Sequence, residues 1–358
     1  RSGGTVMSGG TGRRCRRVAT ATTFVLACLC STMLLQGAPA GAQGYVLNND
    51  AWVANGVVRA IVSTGSVTYL GGDFTAVGPN TGRGVSLDSA TGAPDTSFPR
   101  VNGTVNCVVS DGAGGWYVGG AFTAIGATIR NRLAHLLPDG SVDPSWDPNA
   151  NSTVSALAVK GGLVYAAGSF TGIGGQVRNR IAALNASTGM ATFWNPNANN
   201  TVTAIGLSSD GSTVYAGGTF TTIGGQSRGR IAALSSTTAL ATAWNPGASS
   251  TVSAVRLAGD GMTIYIGGSF TTIGGEARNY IGALDTSTGL ATAWDPGSNA
   301  AVNALELSTD GLTVYAGGTF ATIGGQSRNR LAGLDAATGL ATPWNPNCNS
   351  TVSALALS

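Results

Sequence analysis

The chain repeats one unit of about 50 residues from near residue 54 almost to its end. An aromatic residue placed shortly after a pair of small residues returns at spacings of 48, 48, 50, 50 and 50, at Phe74, Phe122, Phe170, Phe220, Phe270 and Phe320. A second aromatic marker keeps step with it, at Phe98, Trp146, Trp194, Trp244, Trp294 and Trp344. A tandem repeat of this length with a later tryptophan is typical of a β-propeller blade.

Each unit predicts four short antiparallel strands, A to D. In the fourth copy they are expected at 202–208, 213–218, 228–234 and 242–244. Asp210-Gly211 between A and B is a hairpin signal, and a long glycine-rich connection separates B from C. Four such strands form one blade, and blades must stack on their neighbours to bury both faces.

The prediction is therefore an all-β chain: a β-propeller of four-stranded antiparallel blades, with six complete blades plus the first strand of a seventh. The propeller is expected over 44–358, with repeats near 54–100, 101–148, 149–196, 197–246, 247–296 and 297–346 and a partial one at 347–358. Strand A occurs seven times, the last at 351–357, and residues 48–53 resemble a remnant of strand D. Two interpretations stay open: a seventh blade whose remaining strands are missing, and a ring of six blades.

Residues 1–43 are predicted to contain an export signal. A basic stretch at 13–17 precedes a mostly apolar run at 18–35, and small residues at 38–42 offer cleavage sites. We therefore expect a secreted or cell-surface protein. A membrane anchor and a lipoprotein modified at Cys28 remain alternatives.

The charge balance excludes a nucleic-acid partner. Five of the 19 basic residues lie before residue 44, so the remainder carries 14 basic and 16 acidic residues. Phosphate binding needs clustered positive charge, which this balance does not offer. A membrane would be reached only through a lipid anchor or through a further C-terminal domain.

The inventory of reactive residues favours a protein that is not an enzyme and has no metal or cofactor. His135 is the single histidine, and Cys107 and Cys348 are the only cysteines outside the predicted signal. A zinc site needs clustered Cys and His, and copper needs several His ligands. A disulfide between Cys107 and Cys348 stays open.

The candidate binding face lies where the B–C and D–A connections meet, because these loops are the longer and chemically richer pair. Its candidate residues are Arg178, Arg180, Asn197, Asn199, Arg228, Arg230, Arg278, Arg328, Arg330 and Asn347. Arginines two apart on strand C would point to one side and could grip carboxylates or glycans. The structural interpretation, in which they hold the blades together, is favoured, since every blade has the same packing problem.

The aromatic series is assigned to packing between blades. It comprises Trp146, Trp194, Trp244, Trp294 and Trp344 together with Phe170, Phe220, Phe270 and Phe320. A platform for stacking sugars is the alternative for the tryptophans.

Residues 317–346 resemble the repeat of secreted bacterial propellers of the delta-sixty type, "GGxFTxIGGxxRNRIAxLDxxTGxxxxWNP". The order Tyr-Ala-Gly-Gly, Leu-Asp, Thr-Gly, Trp is also kelch-like, and similar repeats occur in fungal cortical polarity-marker proteins. The resemblance covers 57–358 and implies a propeller and export, without an established chemistry. A weaker similarity to the docking motif of quinoprotein dehydrogenases fails for want of a vicinal cysteine pair.

The leading hypothesis is a non-catalytic interaction scaffold whose partner is an unidentified protein or glycan on the B–C/D–A face. A multivalent lectin is the alternative, and a quinoprotein-like or kelch-type oxidoreductase is a third class.

Overall fold

The computed structural model describes residues 98–356 and, before them, four backbone strands between residues 52 and 79. The described residues are all-β and form the repeated antiparallel blades of a β-propeller, as the repeat predicted. None of them belongs to a helix that is long and apolar enough to span a membrane. The predicted signal at 1–43 lies outside the described residues. Two compact units divide the chain, Arg1–Asn80 and Thr81–Ser358.

The first unit contains two antiparallel strand pairs. Its strands are β1 (Trp52–Ala54), β2 (Val57–Thr64), β3 (Val67–Asp73) and β4 (Val77–Pro79). β2 and β3 are strands A and B of the first repeat, with a register shift between Val58 and Ala60. β1 pairs with β4, the connection that follows strand B. The expectation of a strand D remnant at 48–53 is therefore wrong for Trp52 and Val53, which take a D–A position.

The second unit repeats one set of five strands in five successive repeats. Strand A is β5 (Val105–Ser110), β10 (Val154–Lys160), β15 (Val202–Leu207), β20 (Val252–Leu257) and β25 (Val302–Leu307). Strand B is β6 (Trp116–Gly120), β11 (Leu163–Gly168), β16 (Thr213–Gly218), β21 (Thr263–Gly268) and β26 (Thr313–Gly318). Strand C is β9 (Leu133–Leu136), β14 (Ile181–Asn185), β19 (Ile231–Ser235), β24 (Ile281–Asp285) and β29 (Leu331–Asp335).

The B–C connection contains a small hairpin that the sequence did not predict. Its strands are β7 (Ala124–Ile125) with β8 (Thr128–Ile129), β12 (Gly172–Ile173) with β13 (Gln176–Val177), β17 (Thr222–Ile223) with β18 (Gln226–Ser227), β22 (Thr272–Ile273) with β23 (Glu276–Ala277), and β27 (Thr322–Ile323) with β28 (Gln326–Ser327).

Strands pair in the order A, B, C, as in β15-β16-β19. Strand D is reduced to a single antiparallel bridge on strand C, such as Leu234 with Ala241.

Two glycines of the fourth repeat show why this residue type is needed. A Cβ on Gly218, at the end of β16, would collide with the carbonyl oxygen of Thr201. Gly224 turns the small hairpin with a φ of +60°, and a Cβ there would overlap the backbone nitrogen of Ala241. Only glycine accepts both the left-handed conformation and the close approach.

The core lies between successive blades. One buried cluster joins Tyr215, Ile231 and Trp244 of the fourth repeat to Val252 and Phe270 of the fifth, and the other junctions of the second unit repeat it. Each blade is therefore stabilised by its neighbour, as expected of a stacked array.

The last segment departs from the prediction of a seventh strand A. Residues 351–356 form no strand, although Val352 donates its backbone N–H to the carbonyl of Gly318 at 3.1 Å. The segment contacts the sixth blade as a strand A would, since a Cβ on Gly317 would lie 2.5 Å from Val352 Cγ1.

Candidate functional site

Hydrogen bonds fix which loops share a side. In the third repeat, Ala186 of the C–D turn donates to the carbonyl of Gly162 in the A–B turn at 2.9 Å. On the other side, Asn199 of a D–A loop caps the small hairpin of the fourth repeat, because its Oδ1 accepts from the backbone N–H groups of Thr221 and Thr222 at 2.9 and 3.1 Å. The D–A loops and the small hairpins thus lie on one surface, here called the hairpin face.

The first arginine of each predicted pair clamps its own blade. The Nη1 of Arg228 donates to the carbonyl of Ser227 at 2.8 Å, and its Nη2 to that of Thr242 at 2.5 Å. The same two bonds are made by Arg178, Arg278 and Arg328. These guanidinium groups are half-buried, and they tie the hairpin to strand D.

The second arginine of each pair does not lie on strand C. Arg180, Arg230 and Arg330 have φ angles of 67, 64 and 63°, and strand C begins at the following residue. The prediction that each pair points to one side of a strand is wrong, because the left-handed residue reverses the chain between hairpin and strand. Arg230 donates to the carbonyl of Ala248 at 3.1 Å, and Arg330 to that of Cys348 at 3.4 Å. Arg180 donates to the carbonyl of Ser169.

The asparagines of the D–A loops are exposed, but their side chains are bonded within the protein. Asn197 and Asn347 adopt φ angles of 54 and 56°. Their Oδ1 atoms accept from the Nδ2 of Asn179 and Asn329, at 2.7 and 2.6 Å. The structure thus uses these asparagines to join a D–A loop to the hairpin that precedes it.

The tryptophans lie between blades. Trp146 is fully buried, and Trp194, Trp244 and Trp294 are each 5% exposed. The indole N–H of Trp244 donates to the carbonyl of Asp285 in the next repeat at 3.0 Å, and its neighbours make the corresponding bond. These four rings present no open face on which a sugar could stack. Trp344, which is 46% exposed, is the exception.

The phenylalanines Phe170, Phe220, Phe270 and Phe320 are fully buried at the start of the B–C connection. They belong to the clusters between blades, so the hairpin face rests on the same core as the strands.

A cluster around His135 was not anticipated. Its Nδ1 lies 2.9 Å from Asp143 Oδ2 and its Nε2 lies 3.1 Å from Asp111 Oδ2, and the ring stacks on Tyr117 at 4.5 Å. Burial opposes ionisation of both aspartates, yet hydrogen bonds with backbone N–H groups and with His135, and for Asp143 also with Ser145, hold each pKa below its usual range. The only signal in the sequence is a histidine where the third and fourth repeats have Ala183 and Ala233.

This cluster ties an A–B turn to a C–D segment and offers no free reactive group. The carboxylates lie on opposite ring nitrogens, and no three His, Cys, Asp or Glu side chains in the described part of the chain converge as a metal site would require. The two cysteines outside the predicted signal are free, so the disulfide that was left open is not formed. Burial raises the pKa of the Cys107 thiol to about 12, although a backbone hydrogen bond at Gly119 lowers it.

Two cavities lie in the second unit. One, of about 330 Å³, lies among strands A of the second to fifth repeats and is mainly apolar. Arg256 at its edge is paired to Glu306 through two bonds of 3.1 and 2.8 Å. The other, of about 500 Å³, opens on the hairpin face between the fifth and sixth repeats, and is here called the junction cleft. Its lining residues are Asn279, Gly297, Ser298, Asn299, Thr322, Ile323, Gly325, Gln326 and Ser327.

A comparison with protein families gives the same fold class as the structure. Residues 114–145 match a family model described as a domain of unknown function (DUF5122) beta-propeller. No curated protein matches the chain. Among solved structures, the computationally designed Ika8 protein is 17% identical with a TM-score of 0.45, over 72% of this chain and 67% of that one. An extracellular domain from B. thetaiotaomicron, described as part of a one component system, is 14% identical with a TM-score of 0.45, over 67% of this chain and 27% of that one.

Proposed function

We propose that this chain is an exported, non-catalytic binding scaffold that engages a protein or glycan through its hairpin face. The proposal rests on one contrast: the residues that support each small hairpin are the same, whereas the exposed residues of its second strand vary. In the last four repeats the arginine clamp and buried phenylalanine are the same, while the exposed residues of the second hairpin strand occur in three different pairs, one of them shared by the fourth and sixth repeats. These pairs are Gln176-Val177, Gln226-Ser227, Glu276-Ala277 and Gln326-Ser327. Varied loops on a rigid support are a common design for binding.

The absence of catalysis is part of the proposal. It is supported by the engagement of His135 at both ring nitrogens and of the clamp arginines at both terminal nitrogens, which leaves these groups without a role in proton transfer. Export is supported by the basic and apolar stretches within 1–43. The kelch-like and delta-sixty resemblance is consistent with both.

The test blocks one side of the blades at a time. In a Cys348→Ala background, a polyethylene glycol chain is attached to Ala277→Cys at a hairpin tip or to Ala337→Cys in a C–D turn. Both alanines are exposed, and the other native thiols are common to the two variants. The probes are a printed glycan array and an immobilised cell-envelope fraction. We expect retention that is lost only when the hairpin tip is modified. Equal effects of both modifications, or no retention on either probe, would refute the proposal.

A further inference from the structure

In the junction cleft the side-chain amides of two asparagines lack hydrogen-bond partners that other repeats supply. One amide has no partner among the described residues, and the other keeps its acceptor bonds but has lost the partner of its Nδ2. At the junctions of the second with the third repeat and of the third with the fourth, the asparagine after a hairpin is bonded to an asparagine of the next D–A loop, as Asn131 is to Asn149 at 2.8 Å and Asn179 to Asn197 at 2.7 Å. In the fifth repeat the first asparagine is kept as Asn279, but Gly297 stands where its partner would be.

Asn279, which lacks this partner, is more exposed than the equivalent asparagines of other repeats. Asn131, Asn179 and Asn329, which have the amide partner, are half-buried, whereas Asn279 is exposed. Its side chain makes no hydrogen bond to any described residue. Gly297 has a φ of +50°, close to the 49, 54 and 56° of the asparagines that occupy this place elsewhere, so the backbone is unchanged and only the side chain is missing.

The second amide in the cleft belongs to Asn299, and it lacks a partner because Ala321 stands where the fourth repeat has Thr221. Asn299 caps the hairpin through Oδ1, which accepts from the backbone N–H groups of Ala321 and Thr322 at 2.9 and 3.0 Å. In the fourth repeat the Nδ2 of the equivalent Asn199 donates to the hydroxyl of Thr221 at 2.8 Å. Ala321 has no hydroxyl, so the Nδ2 of Asn299 has no acceptor among the described residues.

The remaining lining defines the chemistry of a ligand. Thr322, Gln326 and Ser327 are exposed, and their side chains make no hydrogen bond within the described part of the chain. The lining residues include no charged side chain, so neither a carboxylate nor a phosphate is matched. Amides and hydroxyls that both donate and accept are complementary to vicinal hydroxyl groups. The volume of about 500 Å³ lies within the range of small-molecule pockets.

We infer that the junction cleft is a single binding site for an uncharged saccharide, held by the amides of Asn279 and Asn299. This inference rests on the proposed function and narrows it, because it assigns one site per chain in place of a set of equivalent sites around the hairpin face. The fourth and fifth repeats do not form a second copy, since Gly229 and Ser249 replace both asparagines there.

The sharpest test closes the cleft with the residues that other repeats already carry. Gly297→Asn and Ala321→Thr together restore both internal partners. An added Cβ at Gly297 would meet no atom within 4 Å, so this variant is expected to keep its melting temperature. Gly247→Asn is the matched control, because Gly247 has a φ of +56° and equally open surroundings, but faces Gly229.

The full chain is screened on an array of neutral and anionic glycans, and the hits are titrated by calorimetry. We expect neutral glycans to bind with one site per chain, the double variant to lose about tenfold or more in affinity, and the control to match the wild type. Binding at several sites, unchanged affinity in the double variant, or selection of only anionic glycans or peptides would overturn the inference. If retention of cell envelope through the hairpin tip persists while no neutral glycan binds, the saccharide site is refuted and the scaffold proposal stands.

Discussion

Removing Trp244 is expected to destabilise the array far more than removing Trp344. Both tryptophans follow the same motif and meet a tyrosine of their own blade, with ring centroids 5.3 Å apart for Trp244 and 5.2 Å for Trp344. Trp244 is also covered by the next repeat and is 5% exposed, whereas Trp344 is 46% exposed. The pair therefore separates packing between blades from packing within a blade.

The magnitude follows from burial. A tryptophan covers about 200 Å² of surface, and at about 25 cal/mol per Å² its full burial is worth up to about 5 kcal/mol. Large-to-small core substitutions agree, so Trp244→Ala should cost about 3–5 kcal/mol, including the hydrogen bond to Asp285. Trp344 keeps roughly half of its surface in water and its indole N–H has no described partner. Trp344→Ala should therefore cost at most about 2.5 kcal/mol.

The measurement is guanidinium unfolding followed by circular dichroism, with hydrogen exchange resolved by peptide. A tandem array need not unfold in one step, so local exchange shows where stability is lost. For Trp244→Ala, faster exchange is expected in β16, β19 and β21, the strands on both sides of the junction. Equal destabilisation by the two substitutions would refute the packing of Trp244 between blades and would make a surface role for these rings tenable.

Four further outcomes are expected. Arg228→Ala should lower stability by about 1.5–3 kcal/mol in denaturant unfolding, because two main-chain carbonyls lose a charged donor, and Arg228→Lys should not restore it. Gly224→Ala should destabilise the chain much more than Gly247→Ala, since both have positive φ but only the first has no room for a Cβ; equal melting temperatures would contradict this. Bonds from Ser287 and Thr288 lower the pKa of Asp285 from 3.8 to about 2, so their stabilisation is complete above about pH 4 and is lost as the pH falls towards 2. The stability difference between wild type and Asp285→Asn should shrink over that interval, and a constant difference would argue against the bonds. In native protein at pH 8, iodoacetamide should modify Cys348 well before Cys107, whose pKa is raised to about 12, as read by peptide mass mapping with a urea-unfolded sample as control.

The strands of each blade could be predicted from the sequence because every blade must pack against its neighbours in the same way. Strands A, B and C recur with the same alternation, and a large aromatic residue is needed wherever two sheets meet. The long B–C connection was read as a loop, since two-residue strands such as β17 and β18 are too short to leave a periodic pattern.

The candidate site was predicted less well, for two physical reasons. A positive φ at Arg230 is unusual for a residue with a long side chain, so nothing in the residue type showed that the chain reverses there. The partners of His135 lie 8 and 24 residues away in different turns, and only the fold brings Asp143 and Asp111 to the same ring. The assignment of the arginines and asparagines to ligand binding stays a prediction.

A repeated position and a departure from it carry different information in an array of this kind. A side chain that recurs in the described blades, such as the clamp arginine, finds its carbonyl partners in each of them, so both of its terminal nitrogens are bonded inside the protein. A substitution at a repeated position can either add a hydrogen-bond partner or remove one. His135 replaces an alanine and adds a partner for two carboxylates, so it strengthens one blade and leaves nothing available to a ligand. Gly297 and Ala321 remove a partner, and the amides of Asn279 and Asn299 remain with unused hydrogen bonds at the surface. Of the departures described here, only those that remove a partner leave a hydrogen-bonding group available to a ligand. Selective recognition is therefore expected at the junction cleft and not at the recurring clamp arginines.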